Sequence, residues 1–216
     1  MGQGCRVAII GGGPAGVMAA GLLKGDIDVT IFDPKPLLTT LLPTGGGKCN
    51  LAHFEYDFRE LVKYYPRGEK FLYSIFSKYS TADTIDYFEK IGVETVVMSN
   101  GKIFPKEMSS KFVREKMLAQ IKHCTIEREK VVNIKKKEAS FIVQTEHSSS
   151  IFDKVVVTTG GHCNFTFLNN LGVDIIPARP ALCGLCTGEN YSDISGVVLK
   201  NVYNSVYTIF AFRQVY

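Results

Sequence analysis

The sequence predicts an α/β protein built around a parallel β-sheet, and three features carry that expectation. A short β-branched run, Cys5 to Ile10, passes directly into Gly11-Gly12-Gly13, the pattern of a buried strand entering a tight turn. Small and apolar residues at helical spacing follow from Ala15 to Lys24, with Pro14 at the first helical turn, where its missing N–H costs nothing. A second strand, Asp28 to Phe32, then ends at Asp33-Pro34, completing strand, turn, helix and strand in the span of one βαβ unit.

The remaining elements follow in order. Between Pro34 and Ala52 no periodicity is visible, and the stretch contains Gly45-Gly46-Gly47; a loop that long inside a compact domain points to function. Helices are expected over Phe58 to Tyr64, Lys70 to Tyr79 and Thr81 to Ile91, the last stopped by Gly92. Val93 to Met98 and Lys102 to Phe104 flank Asn100-Gly101, a hairpin turn signal. Ser109 to Lys122 is amphipathic. Strands follow at Thr125 to Glu127, Val131 to Lys135, Ser140 to Thr145 and Lys154 to Thr158, with polar turns around Lys137 and from His147 to Ser150. The valine-rich last strand runs into Gly160-Gly161 and is expected in the middle of the parallel sheet. After Gly172 the pattern weakens, leaving one or two strands between Val197 and Phe212.

Composition narrows the class of protein. A chain of 216 residues can bury a substantial core, and 45% hydrophobic with 21% charged residues is an ordinary globular balance. The net charge of +4 is spread along the chain apart from Lys135-Lys136-Lys137, which reads as a solvated strand end rather than a nucleic-acid patch. No long uninterrupted apolar stretch predicts a membrane span. Six cysteines without regular spacing do not form a disulfide framework, so a reducing, cytoplasmic setting is expected.

Gly11-x-Gly13-x-x-Gly16 lies between strand and helix, and the acidic Asp33 ends the next strand about 20 residues on. Each position has a mechanical reason. Gly11 allows the tight turn, Gly13 lets backbone approach a pyrophosphate, and Gly16 lets the helix pack on the strand. The helix N-terminus adds free N–H groups and a favourable dipole, while Asp33 is placed to accept from a ribose. Thr44-Gly45-Gly46-Gly47-Lys48-Cys49-Asn50 is a second candidate site, with bare backbone beside a cation and an amide. On spacing alone a flexible loop is the competing reading.

Together these segments resemble the HI0933-like (BaiN- or YhiN-like) bacterial flavoproteins, which carry an SGGGRCN motif after their first βαβ unit. Gly101-Lys-Ile-Phe-Pro105, Val155-Val-Val-Thr-Thr-Gly-Gly161 and Arg179-Pro-Ala-Leu182 resemble that family's GRVFP, ATGG and RPAL segments. The resemblance implies FAD on a glutathione-reductase-type Rossmann domain, expected here over 1–175, with the start of an inserted β-rich domain over 176–216. It assigns the pyrophosphate to Gly11, Gly13, Pro14, Ala15 and Gly16, and the ribose to Asp33. Gly46, Gly47, Lys48, Cys49 and Asn50 would line the flavin, Val131 would meet the adenine through its backbone, and Thr159, Gly160 and Gly161 would close over the cofactor.

The implied activity is FAD-dependent oxidoreduction by hydride transfer to or from the flavin, with NAD(P)H as a candidate reductant although no second dinucleotide fingerprint is visible. The family has been linked to amine oxidation and to reduction of carbon–carbon double bonds, including uridine in RNA. The charge pattern gives RNA no support, and the sequence names neither the substrate nor an oligomeric state. This chain departs from the family in having Thr39-Thr40 in place of basic residues before the triple glycine, in a short stretch between Gly161 and Leu171, and in lacking a second glycine-rich flavin segment. It therefore reads as a C-terminally truncated member, for which a non-catalytic FAD-binding fragment is the alternative.

Cys49 and His53 are the weak catalytic candidates, and His162 is a further histidine beside a cofactor loop. Cys183-Gly-Leu-Cys186 fits either two buried structural cysteines or the dithiol of a flavin-dependent disulfide reductase. No second Cys/His pair has finger spacing, so no metal is expected.

Overall fold

The computed structural model describes residues 4–65, 67–161 and 165–176. In chain order its elements are β1 (Cys5–Ile10), α1 (Pro14–Leu22), β2 (Ile27–Phe32), β3 (Ala52–His53), α2 (Phe58–Leu61), α3 (Glu69–Phe76), α4 (Thr81–Lys90), β4 (Thr95–Val97), β5 (Lys102–Pro105) and α5 (Ser110–Ala119). There follow β6 (Thr125–Glu127), β7 (Val131–Lys137), β8 (Ser140–Thr145), β9 (Ser149–Phe152) and β10 (Lys154–Val157). The expected 176–216 segment lies outside the described residues except for Ile176.

The central sheet is parallel, in the order β10-β1-β2-β6. The two inner strands, β1 and β2, are buried on four consecutive positions because both of their faces are covered, and the period of two sorts their side chains between two cores. Val7 and Ile9 of β1 with Val29 and Ile31 of β2 pack against Val17 and Ala20 of α1, Tyr87 and Phe88 of α4, and Val113 and Met117 of α5. Ala8, Ile10 and Phe32 point the other way, onto Val131, Ile134, Val143 and Phe152 of the antiparallel β7-β8-β9 meander, where Phe32 and Phe152 meet edge to face. The result is a three-layer unit with helices on one face of the parallel sheet and a small sheet on the other, a Rossmann-type architecture.

The structure corrects several expectations. β10 is parallel to β1, as expected, and among the described residues it pairs with β1 alone, at one edge of the described strands. An apolar run reports covered faces, whereas strand order is decided by hydrogen bonds along the edges, which hydropathy does not register. The polar turn expected at 147–150 is shorter, because Ser149 and Ser150 already pair with β8 in β9. The 34–52 stretch is not structureless: 3-10 turns form at Thr39–Leu41 and Thr44–Gly47. Residues 62–64 leave α2 as a 3-10 turn, and α3 buries none of its residues. The Asn100-Gly101 turn forms as expected, joining β4 and β5 in a three-stranded antiparallel sheet ordered β3-β5-β4.

Candidate functional site

At the end of β1 the chain turns through Gly11 at φ +108°, held by its N–H donating to the Phe32 carbonyl at 2.9 Å. A Cβ there would lie 2.6 Å from the Thr158 carbonyl oxygen, so β10 passes directly against the turn. A Cβ on Gly16 would approach the Gly11 carbonyl and come within 2.7 Å of Thr158 Oγ1, which is the close helix-on-strand packing that its place in the motif predicts. Gly13 is different. It is the N-cap of α1 at φ −75°, and the nearest atom to an added Cβ is Thr40 Oγ1 at 3.8 Å. Its backbone borders open space, and no side chain caps the N–H groups of the first helical turn.

Asp33 leaves the end of β2 toward the same turn. Its Oδ2 accepts from the Gly12 N–H at 2.7 Å and its Oδ1 from the Lys35 N–H at 2.8 Å, which leaves each oxygen a lone pair for a further donor. The chain then doubles back over the turn: Leu38 N–H donates to the Gly12 carbonyl at 2.8 Å, with Leu38 in the left-handed region at φ 59°. α5 secures this return from below, Arg114 Nε donating to the Leu37 carbonyl at 3.0 Å and Ser110 Oγ to the Leu42 carbonyl at 2.7 Å.

The second glycine loop follows at once. Gly45, Gly46 and Gly47 all have positive φ, Lys48 returns to the right-handed region at φ −95°, Cys49 is again positive, and Cys49 N–H closes the loop by donating to the Thr44 carbonyl at 2.9 Å. Gly45 needs its hydrogen for packing, since a Cβ would lie 2.8 Å from both Asn50 N and the Phe104 ring. Gly46 and Gly47 meet nothing within 4 Å and face open space, and Lys48 is exposed. The Asn50 amide, nitrogen inward, donates to the carbonyls of Ile103 (3.2 Å) and Ala52 (3.0 Å), tying the loop to β5.

Cys49 Sγ is buried in the core beneath this loop. Burial pushes its thiol above the ordinary range, only partly offset by a hydrogen bond with the Thr44 side chain. A thiol so placed is kept protonated and screened from solvent, which suits packing and not nucleophilic attack. His53 is exposed on β3, its ring over Gly101 and 5.3 Å from the Tyr64 ring centroid. Gly11, Gly13, Pro14, Ala15, Gly16 and Asp33 thus converge on one turn, and Thr159, Gly160 and Gly161 lead away from it past Thr158. Gly160 and Gly161 are open to added atoms, and Thr159 Oγ1 is buried without a hydrogen-bond partner. Val131 sits at the start of β7, buried in the meander core, four residues after Glu127, whose carbonyl accepts from the Asp33 N–H at 3.0 Å. His162, Cys183 and Cys186 lie outside the described residues.

Sequence reasoning missed Thr40, Arg114, Ser110 and Thr158. Each acts through a partner distant in sequence or through an open space that only the fold creates. Among the described residues no cluster of His, Cys, Asp and Glu could hold a metal, and no helix is long and apolar enough to cross a membrane.

A parallel sheet, a glycine turn at a helix N-terminus and an acid at the end of the next strand define a Rossmann-type nucleotide-binding domain. The family model of the HI0933-like protein Rossmann domain matches residues 5–173, and the chain belongs to that family. It is 24% identical over 196 residues to a 3-dehydro-bile acid delta(4,6)-reductase of Clostridium scindens, covering 83% of this chain and 47% of the relative. It is 26% identical over 203 residues to a ribosomal RNA dihydrouridine synthase of Haemophilus influenzae, covering 84% and 49%. The chain thus spans about half the length of these curated relatives. Among solved structures, THI4 of Thermovibrio ammonificans aligns with a TM-score of 0.42 at 17% identity, covering 74% of this chain and 59% of that one.

Proposed function

We propose that this chain supplies the FAD-binding part of a flavoprotein oxidoreductase. The observation that carries the reading is the turn itself: Gly13 presents bare backbone to open space at the N-terminus of α1, and Asp33, fixed on the same turn, keeps acceptor capacity for a ribose hydroxyl. The ADP portion of the cofactor fits there, its pyrophosphate along Gly13 to Gly16. Gly46, Gly47, Lys48 and Asn50 offer the second bare surface toward the flavin. The buried Thr159 hydroxyl, unpartnered at the rim beside the open Gly160 and Gly161, fits a group that donates to it or accepts from it. Val131 lies along the adenine side.

FAD, when bound, supplies hydride transfer at its isoalloxazine ring, and NAD(P)H is the reductant we assign to it. A small unsaturated molecule is the substrate class that follows from the relative named as a delta(4,6)-reductase. The modest charge of +4, spread along the chain apart from Lys135-Lys136-Lys137, favours such a molecule over RNA. We place the protein in the cytoplasm, in keeping with free thiols at Cys5, Cys49 and Cys124. We further assign 1–175 to the cofactor domain and 176–216 to the start of an inserted one.

The test is purification followed by visible absorbance, with the chromophore released by heat and identified by chromatography. FAD that NAD(P)H bleaches supports the full reading, and FAD without turnover assigns a binding part alone. Protein that is colourless and fails to bind added FAD or ADP in calorimetry would sink it.

A further inference from the structure

The peptide unit between Gly11 and Gly12 is gripped from both sides by side chains. Its N–H donates to Asp33 Oδ2 at 2.7 Å, and its carbonyl accepts from Thr158 Oγ1 at 2.8 Å. The same hydroxyl lies 3.1 Å from the Ile10 carbonyl, but with a single proton to give it serves the nearer acceptor first. Thr158 is itself fixed, because its backbone N–H donates to the Ile10 carbonyl at 2.8 Å and extends the register in which Val157 sits opposite Ile10. Its hydroxyl also fills the space under Gly16, the third glycine of the turn.

We propose that Thr158 is a positioning residue for the dinucleotide, clamping the Gly11–Gly12 peptide so that the N–H groups beyond it face the pyrophosphate and Asp33 faces the ribose. The proposal rests on the flavoprotein reading above. A peptide plane can rotate about its flanking bonds while hardly moving the chain, and glycine on both sides, lacking Cβ atoms, puts little intrinsic barrier in the way of that rotation. Were the plane to turn, the Gly12 N–H would leave Asp33, and the carboxylate would keep only the Lys35 N–H of the two bonds that aim it. Two of the cofactor's recognition points would loosen through one missing hydroxyl.

The test compares Thr158→Val, which keeps the shape and removes the hydroxyl, with Thr158→Ser, which keeps the hydroxyl. Affinities for ADP and for FAD are measured by calorimetry on the whole chain, beside melting of the unliganded proteins. Loss of one net hydrogen bond predicts roughly ten-fold weaker binding in the valine variant, equal for ADP and FAD, with affinity restored by serine. A residue that merely stabilised the fold would lower melting and leave affinity below the melting range unchanged, and that outcome would overturn the proposal. So would a loss confined to FAD, or a serine variant as weak as valine. If valine fails to fold, Thr158→Ala replaces it with the same expected loss. Wild-type protein that binds neither ADP nor FAD removes the flavoprotein reading and the clamp together. Wild-type binding matched by valine removes the clamp alone.

Discussion

Gly11 and Gly13 stand two residues apart in one motif, yet the structure gives them opposite tasks, and alanine at each position should separate folding from binding. For Gly11→Ala, the φ of +108° is a region an L side chain enters at about 1–3 kcal/mol. The new Cβ would also press on backbone, at 2.6 Å from the Thr158 oxygen, 2.8 Å from its carbonyl carbon and 3.0 Å from Thr159 Cα, for roughly 1–3 kcal/mol more. A total of about 2–6 kcal/mol is a large share of the ~5–15 kcal/mol that hold a domain together. For Gly13→Ala two small effects oppose each other. Alanine is the poorer N-cap by about 0.5–1 kcal/mol, and it lowers unfolded-chain entropy by an amount worth about 0.4–1 kcal/mol. Nothing nearer than 3.8 Å resists the methyl, so stability should change by less than about 1 kcal/mol. The methyl would, however, occupy the surface a pyrophosphate must touch, and ADP affinity should fall at least roughly ten-fold. Calorimetric melting and ADP titration read the two quantities separately. If Gly13→Ala melts as early as Gly11→Ala, or binds ADP as tightly as wild type, the division of labour argued from the turn is wrong.

Two further outcomes follow from the surroundings of the loop. The Cys49 thiol has its folded pKa raised above its ordinary 9.0, so the fold binds a proton that the unfolded chain releases. Its contribution is fully present below pH 9 and fades as pH rises through the folded pKa; urea melts across alkaline pH should therefore show a shallower decline for Cys49→Ala than for wild type, and equal slopes would refute this. Ser110 is buried with its hydroxyl on the Leu42 carbonyl, and Ser110→Ala should cost about 1–2 kcal/mol and lower Tm by several degrees. An unchanged Tm would show that α5 does not restrain the chain over the turn.

The first βαβ unit was legible in the sequence because everything that shapes it is local. Gly11, Pro14, Gly16 and Asp33 act within one short segment, and their spacing states their geometry. The hairpin at Asn100-Gly101 was legible for the same reason. The 34–52 stretch was opaque because its winding depends on Leu38 and Cys49 adopting positive φ, which neither residue type advertises; buried packing and the Leu38 bond to Gly12 impose it. The partners of β10 in the sheet were not legible because its valines speak of covered faces and say nothing of its edges. Thr158 went unnoticed as a functional residue because its hydroxyl gains meaning only beside Gly11, 147 residues earlier.

That separation also bears on how the site comes into being during folding. β1, α1 and β2 can associate early, since their contacts are close in sequence and the entropy of closing such loops is small. β10 returns to β1 only after the helices, the hairpin and the meander have been traversed, and Thr158 arrives with it. The glycine turn is therefore outlined by local contacts and completed by a long-range one, the pairing of β10 with β1 that brings in Thr158. A nascent chain that has not yet delivered β10 already carries the whole fingerprint. Its recognition surface is still unfinished, so tight cofactor capture is expected to coincide with closure of the sheet.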